Sequence, residues 1–124
     1  MAQTSKGGCL CDASNFTFSG EAKFTIQCYC RDCQHVSGGG HLPQLGVSSD
    51  GFLSSGPIKN YTQKSDAGND LTFSFCGQCG APLFKTTSKA PELTFVYAGA
   101  LTDPTDLNFD THVFESSKQS WDKT

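Results

Sequence analysis

The sequence predicts a mainly β domain with little helix, and three observations support this fold class. Apolar and polar residues alternate in short runs that are rich in Phe, Thr, Ile and Val, which is typical of half-buried strands. Turn sequences such as Asp50-Gly51 and Asp103-Pro104 separate these runs. The chain has 124 residues, close to the usual size of one domain, so we expect residues 1–124 to form a single domain.

Four runs show the alternation most clearly, and each places an apolar side chain at every second position. We therefore expect strands with one face in the core over residues 15–18, 23–26, 71–75 and 93–97. The segment from Arg31 to Val36 favours a helix, and the three glycines that follow Ser37 are expected to end it. Its length supports no more than one short turn of helix.

Charge and hydropathy argue against two classes of partner. The chain has 12 acidic and 9 basic residues, and its Lys and Arg residues are scattered singly, so it lacks the positive patch of a nucleic-acid-binding protein. Its first residues contain no apolar run that could act as a signal peptide, and no stretch approaches membrane-spanning length. We expect a cytoplasmic protein with neither a nucleic-acid nor a membrane partner.

The 7 cysteines fall in three tight clusters. An odd number of cysteines cannot be fully paired in disulfides within one chain, and short spacings are typical of metal ligation in a reducing compartment. A Cys-x-x-Cys-Gly turn lets both sulfurs point at one ion, and zinc prefers sulfur ligands. The clusters are Cys9 and Cys11, then Cys28, Cys30 and Cys33, then Cys76 and Cys79.

The spacing allows two divisions of these cysteines between metal sites. The first and last pairs could make a closed zinc site with four sulfurs, which leaves the middle three for an open site of the catalytic type. Alternatively, Cys30 and Cys33 could join the last pair in an ordinary zinc ribbon. A redox Cys-x-x-Cys is a third interpretation, but the β-α-β context of thioredoxin-type motifs is missing.

The residues around the clusters carry a family resemblance. The segments concerned are Gly7-Gly8-Cys9-Leu10-Cys11, Cys28-Tyr29-Cys30-Arg31-Asp32-Cys33, Phe75-Cys76-Gly77-Gln78-Cys79-Gly80-Ala81-Pro82-Leu83-Phe84 and His112-Val113-Phe114. In this order they closely resemble the glutathione-dependent formaldehyde-activating enzyme family, also called the GFA/CENP-V domain. The resemblance extends from Gly7 to Trp121.

The resemblance implies a fold, a metal content and an activity. The fold would be the zinc-stabilised arrangement of small β-sheets shared with methionine sulfoxide reductase B. The activity would be that of a carbon–sulfur lyase acting on glutathione adducts of small aldehydes, such as S-hydroxymethylglutathione, with glutathione as co-substrate. The family ligands would be Cys9, Cys11, Cys76 and Cys79 for a structural zinc ion, and Cys28, Cys30 and Cys33 for a second, catalytic zinc ion.

Polar residues near the middle cluster are candidates for supporting roles. Arg31 and Lys85 could bind the carboxylates of glutathione, although isolated surface cations are usually only solvated. Tyr29 could donate a hydrogen bond to a zinc-bound oxygen or could equally be a core aromatic. His35 and His41 flank the glycine segment and could shuttle protons.

Two other functions compete with the enzymatic one. A non-catalytic zinc-binding interaction module would use the same cysteines, as a chromosome-associated branch of the family suggests, but the chain has no basic tail. Methionine sulfoxide reduction on a similar fold would need a late nucleophilic thiol, and no cysteine follows Cys79.

Overall fold

The structure, a computed structural model, describes residues 4–123. These residues form strands β1 to β10, one α-helix and two 3-10 helices, which confirms the predicted, mainly β class. The helix α1 covers Arg31–Ser37, and the 3-10 helices cover Ala98–Ala100 and Glu115–Ser117. The strands in chain order are Thr4–Gly8, Asn15–Ser19, Phe24–Cys28, Leu42–Ser48, Leu53–Ser55, Ile58–Lys64, Asp70–Cys76, Pro82–Thr87, Leu93–Tyr97 and His112–Val113.

The strands form two sheets. The smaller sheet has the order β1-β2-β5, and the larger has the order β10-β3-β4-β9-β8-β7-β6. Neighbours pair antiparallel except β10, which lies parallel to β3. Strands β6 to β9 follow one another in space as they do in sequence, because short turns join antiparallel neighbours.

The main core forms where the small sheet packs on one face of the large sheet. Phe16 and Phe18 of β2 pack with side chains of β4, β8 and β9, including Val47, Phe84 and Val96. The Phe16 ring centroid lies 6.1 Å from that of Phe84 in an edge-to-face contact. A second, smaller apolar cluster contains two cysteines and is made by Cys28, Cys33, Leu42 and Tyr97.

All four predicted strands are present, as β2, β3, β7 and β9, but the pattern missed others. Strand β4 lies between β3 and β9 and is covered on both faces, so its residues do not alternate. Strand β6 is at the edge of the sheet and is mostly exposed, so it has too few apolar residues to be recognised.

Helix α1 begins at Arg31 and is ended by the glycines, as predicted, but its seven residues make about two turns rather than one. Its N-cap is Cys30, whose Sγ accepts a hydrogen bond from the Cys33 amide at 3.3 Å. Gly38, with φ of 73°, ends it in the left-handed conformation that glycine adopts without steric cost. No helix within residues 4–123 has the length and apolar character needed to cross a membrane.

The core assignment is tested by a matched pair of Leu→Ala substitutions. Leu83 is 0% exposed and Leu53 is 70% exposed. We expect Leu83→Ala to lower the free energy of unfolding by about 2–5 kcal/mol, because it leaves a cavity, and Leu53→Ala to change it by less than about 0.5 kcal/mol. Urea unfolding at a fixed excess of zinc measures both values. Equal losses in the two variants would contradict the assignment.

Candidate metal centres

The first cysteine cluster brings together residues that are far apart in sequence. Cys9 and Cys11 lie in the loop after β1, Cys76 ends β7, and Cys79 lies in the turn before β8. Their Sγ atoms all lie within 4.8 Å of one another. The Cys9–Cys11 and Cys11–Cys76 sulfur distances are 3.6 and 3.9 Å. Sulfurs bound at about 2.3 Å to a tetrahedral zinc ion would lie about 3.8 Å apart, so this cluster has the right size.

Backbone amides point at these sulfurs. The Ser14 amide donates to Cys9 Sγ at 3.2 Å, and the amides of Gln78 and Cys79 donate to Cys76 Sγ at 3.3 and 3.5 Å. The Ser14 hydroxyl and these last two amides outweigh the effect of burial and lower the pKa of Cys76 to about 6. The local chain therefore favours the thiolate at Cys76, which is the form that binds a metal.

The second cluster is built from one short segment. Cys28 is the last residue of β3, Cys30 caps α1, and Cys33 lies in its first turn, so the chain curls around a single point. The three Sγ atoms lie within 4.8 Å of one another, and among residues 4–123 no further His, Cys, Asp or Glu joins them. Cys28 and Cys33 are buried and Cys30 is half-buried, so the cluster reaches the surface at Cys30.

The three thiols of this cluster have different proton affinities. Hydrogen bonds from Cys28 and Cys33 stabilise the Cys30 thiolate and lower its pKa to about 2, and the positive charge of Lys85 acts in the same direction. The pKa of Cys33 is raised, first by its contact with Cys28 and then by that with Cys30. The cluster therefore favours the thiolate at Cys30, which is the form in which a cysteine binds a metal ion.

Two buried polar side chains lie beside the second cluster. Gln44 donates from Nε2 to Cys33 Sγ at 3.3 Å, and Tyr97 packs in the same apolar cluster as Cys28 and Cys33. Gln44 Oε1 and Tyr97 Oη are buried and have no hydrogen-bond partner among residues 4–123. Burial, and then the charge of Cys33, raises the pKa of Tyr97, so its hydroxyl keeps its proton.

A cleft of about 860 Å³ runs past this region. Its wall includes Val36, Leu42 and Tyr97, which also pack around Cys28 and Cys33. The three-cysteine cluster therefore lies directly behind one wall of the cleft. The opposite part of the cleft reaches the loop that carries Cys9 of the first cluster.

Tyr29 is a core residue in this structure. It is 0% exposed, and its ring centroid lies 5.5 Å from that of His41 and 5.6 Å from that of His112. The Lys118 ammonium lies 5.2 Å from the same ring. His41 in turn contacts the buried carboxylate of Asp122, with 2.7 Å between Nδ1 and Oδ2. These contacts hold the segment 112–122 against the end of β3 and the start of α1.

The other predicted supporting residues lie in different environments. Arg31 is exposed and its guanidinium donates to Gln34 Oε1. His35 is exposed on α1. Lys85 is half-buried, and its Nζ lies 5.2 Å from the ring centroid of Phe95.

The donor atoms of both clusters fit a soft, tetrahedral metal such as zinc. Four sulfurs at the observed spacing complete one tetrahedral site, whereas three sulfurs leave a fourth position for a ligand from outside the chain. The clusters could therefore hold one ion each, and the role of the seven cysteines as zinc ligands stays a prediction. The pairs Cys30/Cys33 and Cys76/Cys79 of the zinc-ribbon alternative are not brought together.

The fold and these clusters define a class: a small β domain with one closed and one open candidate metal centre. Family comparison goes further, because residues 4–117 match the glutathione-dependent formaldehyde-activating enzyme family, GFA. The match covers nearly the whole chain, so the protein belongs to this family. The resemblance seen in the cysteine motifs is thereby confirmed.

A solved structure supports the fold. The crystal structure of a Rhodobacter sphaeroides protein, a structural genomics target, is similar with a TM-score of 0.63. The alignment covers 86% of this chain and 97% of that chain at 18% sequence identity, so it bears on the fold alone. No curated protein matches this chain. The fold relation to methionine sulfoxide reductase B stays a prediction.

Sequence reasoning did not single out Gln44 or Tyr97 as site residues. Tyr97 ends a strand that the alternation predicts, but an aromatic residue there looks like ordinary core. Gln44 lies in β4, which the pattern missed, and the two residues become neighbours only through the pairing of β4 with β9. A glutamine between apolar residues in a fully buried strand is the one signal that could have indicated it.

Paired Cys→Ser substitutions test the two centres. We expect about two zinc ions per wild-type chain and about one in Cys30→Ser, which keeps its fold because serine is also a good N-cap. Cys76→Ser should lose cooperative unfolding, since a structural zinc site contributes about 10–16 kcal/mol of binding free energy. Zinc analysis and thermal unfolding measure these outcomes. A single ion that Cys30→Ser leaves in place would contradict the open centre.

Proposed function

We propose that the protein is a zinc-dependent enzyme of the carbon–sulfur lyase type that acts on glutathione adducts of small aldehydes, such as S-hydroxymethylglutathione, or on adducts of another thiol. The observation that carries this proposal is the three-cysteine cluster, in which no fourth ligand from residues 4–123 takes part. Such a centre leaves a position for a substrate sulfur. Membership of the GFA family supports the same thiol chemistry.

Each cluster would have its own role. Cys28, Cys30 and Cys33 would hold the ion at which the thiol binds, and the four cysteines of the closed cluster would hold a structural ion. When bound, zinc at the open centre would keep the substrate thiol deprotonated near pH 7, where a free thiol with a pKa of about 8.5 is mostly protonated. Burial of Cys28 and Cys33 keeps water away from the inner side of this centre.

The reaction also needs groups around the hydroxyl oxygen of the adduct. In cleavage, the carbon–sulfur bond breaks, its electron pair stays on sulfur, and the hydroxyl oxygen becomes the aldehyde oxygen as its proton passes to solvent. Gln44 Oε1 can accept a hydrogen bond from that hydroxyl, and Tyr97 Oη can donate one to its oxygen. Both atoms are buried without a partner among residues 4–123, so a substrate oxygen between them would satisfy both.

The location and partners follow from the same chemistry. The seven cysteines carry no disulfide, and clusters of reduced cysteines are typical of a reducing compartment. We therefore assign the protein to the cytoplasm, with a small-molecule thiol and an aldehyde as its partners.

One observation favours the alternative of a non-catalytic zinc-binding interaction module. Several large apolar side chains are well exposed, with Leu10 at 86% and Trp121 at 63%. Exposed apolar residues that lie together mark interaction sites, whereas single ones are normal on protein surfaces. The alternative predicts no effect of the protein on thiol–aldehyde chemistry.

An exchange measurement tests the enzymatic proposal. Glutathione and formaldehyde combine without a catalyst, so the quantity to measure is the exchange rate between free and adduct forms, by NMR with isotopically labelled formaldehyde. We expect catalytic amounts of the zinc-loaded protein to raise this rate at least about tenfold. Cys30→Ser should lose the effect, and Leu53→Ala should keep it. A rate equal to the spontaneous one at millimolar glutathione would favour the interaction module.

A second substitution tests the role of Tyr97. Tyr97→Phe should lower the catalysed exchange rate by about 100-fold, because it removes a donor to the substrate oxygen. The free energy of unfolding should stay unchanged or rise, since the variant loses a buried hydroxyl that has no partner among the described residues. A purely structural role for the hydroxyl would instead lower stability and leave the exchange rate of the folded protein unchanged.

A further inference from the structure

A row of residues crosses the large sheet from one strand to the next. Each member is directly paired with the following one, and direct partners point to the same face of a sheet. We call it the aromatic row, and its members in spatial order are Phe24 on β3, Gly46 on β4, Phe95 on β9, Lys85 on β8, Phe73 on β7 and Tyr61 on β6.

Two pairs of rings in the row are in contact. The ring centroids of Phe24 and Phe95 lie 5.8 Å apart, and those of Tyr61 and Phe73 lie 6.5 Å apart. Gly46 makes room for the Phe24 ring, because a Cβ at this position would lie 2.3 Å from a ring carbon. Lys85 lies between the two pairs of rings, with its Nζ 5.2 Å from the Phe95 centroid.

The aromatic row lies on the same sheet face as the open centre. Tyr97 follows Phe95 by two residues on β9, so both side chains point to one face about 7 Å apart along the strand. Tyr97 packs with Cys28 and Cys33.

Lys85 is half-buried, and no carboxylate of residues 4–123 forms an ion pair with it. Among residues 4–123 the ion pairs are Lys64 with Asp70, His41 with Asp122 and His112 with Glu115, and Lys85 takes part in none of them. Its neighbours in the row are the rings of Phe95 and Phe73, which are half-buried and apolar. A charge beside apolar side chains lies in a lower local dielectric constant, so it attracts an anion more strongly than a fully solvated charge does.

We propose that the aromatic row is the binding subsite for the body of the thiol substrate, with Lys85 as the anchor of a substrate carboxylate. This inference rests on the proposed function and assigns residues of this chain that would hold the part of a carboxylate-bearing thiol beyond its sulfur. The sulfur would bind at Cys28, Cys30 and Cys33, the carboxylate at Lys85 Nζ, and the carbon chain would cover the rings of Phe95 and Phe73.

Binding measurements with two thiols test the inference. The probes are glutathione and 2-mercaptoethanol, which carries no carboxylate, with calorimetry on the zinc-loaded protein. We expect Lys85→Gln and Lys85→Met to weaken glutathione binding about tenfold and to leave 2-mercaptoethanol binding unchanged. Lys85→Met keeps the apolar stem over Phe95, so it separates the lost charge from lost packing. Lys85→Arg should retain most of the affinity.

A matched control uses a lysine elsewhere on the surface. Lys89 is exposed in the turn after β8. Lys89→Gln makes the same charge change, and we expect it to leave the binding of both thiols unchanged. Added salt should weaken glutathione binding to the wild type more than to Lys85→Gln, because it screens the anchor.

The outcomes separate this inference from the proposed function. Equal glutathione affinity in the wild type and both Lys85 variants would overturn the inference and leave the proposed function standing. Failure of the wild type to bind either thiol would overturn the proposed function and the inference with it. Self-association that Tyr61→Ser abolishes and glutathione does not affect would assign the row to a second copy of the chain, which also overturns the inference.

Discussion

Four cysteine sulfurs from distant parts of the chain converge at one point of the fold. Cys11 and Cys76 are 65 positions apart, yet their sulfurs lie 3.9 Å from each other. Cys9 and Cys11 follow β1 of the small sheet, and Cys76 and Cys79 lie at the turn between β7 and β8 of the large sheet. The cluster therefore joins the two sheets. Thiolates at this spacing repel one another unless a cation lies among them. A metal ion here would cross-link distant parts of the chain and so stabilise the fold, as a disulfide does in a secreted domain.

The second cluster is arranged differently, because a single short segment supplies all of its candidate ligands. Cys28, Cys30 and Cys33 occupy the end of a strand and the start of a helix, and this segment has no further sulfur to complete a tetrahedron. Its surroundings come from elsewhere, since β4 and β9 bring Gln44 and Tyr97 beside it. Local sequence thus determines the candidate ligands of this centre, and strand pairing determines which polar side chains lie beside them.

This division explains how much could be predicted from the sequence. Alternating runs identified β2, β3, β7 and β9, and clustered cysteines pointed to both centres, because each of these signals is local. Strand β4 was missed because burial on both faces removes alternation. The pairing of Gln44 with Tyr97, and of Lys85 with Phe95, depends on register between strands that are not adjacent in sequence or are joined by a turn of variable length. Neither pair leaves a pattern in composition or spacing.

The negative charge of the chain makes the position of Lys85 important for the binding of an anionic substrate. The chain has a net charge of −3, and three thiolates with one zinc ion would add a further negative centre, so an anionic thiol such as glutathione would be repelled. At physiological ionic strength this repulsion is screened beyond about 8 Å, whereas a half-buried cation within a few ångströms of the substrate is screened much less. One lysine on the face of the open centre, without a carboxylate partner among the described residues, can therefore decide whether a carboxylate-bearing thiol is accepted.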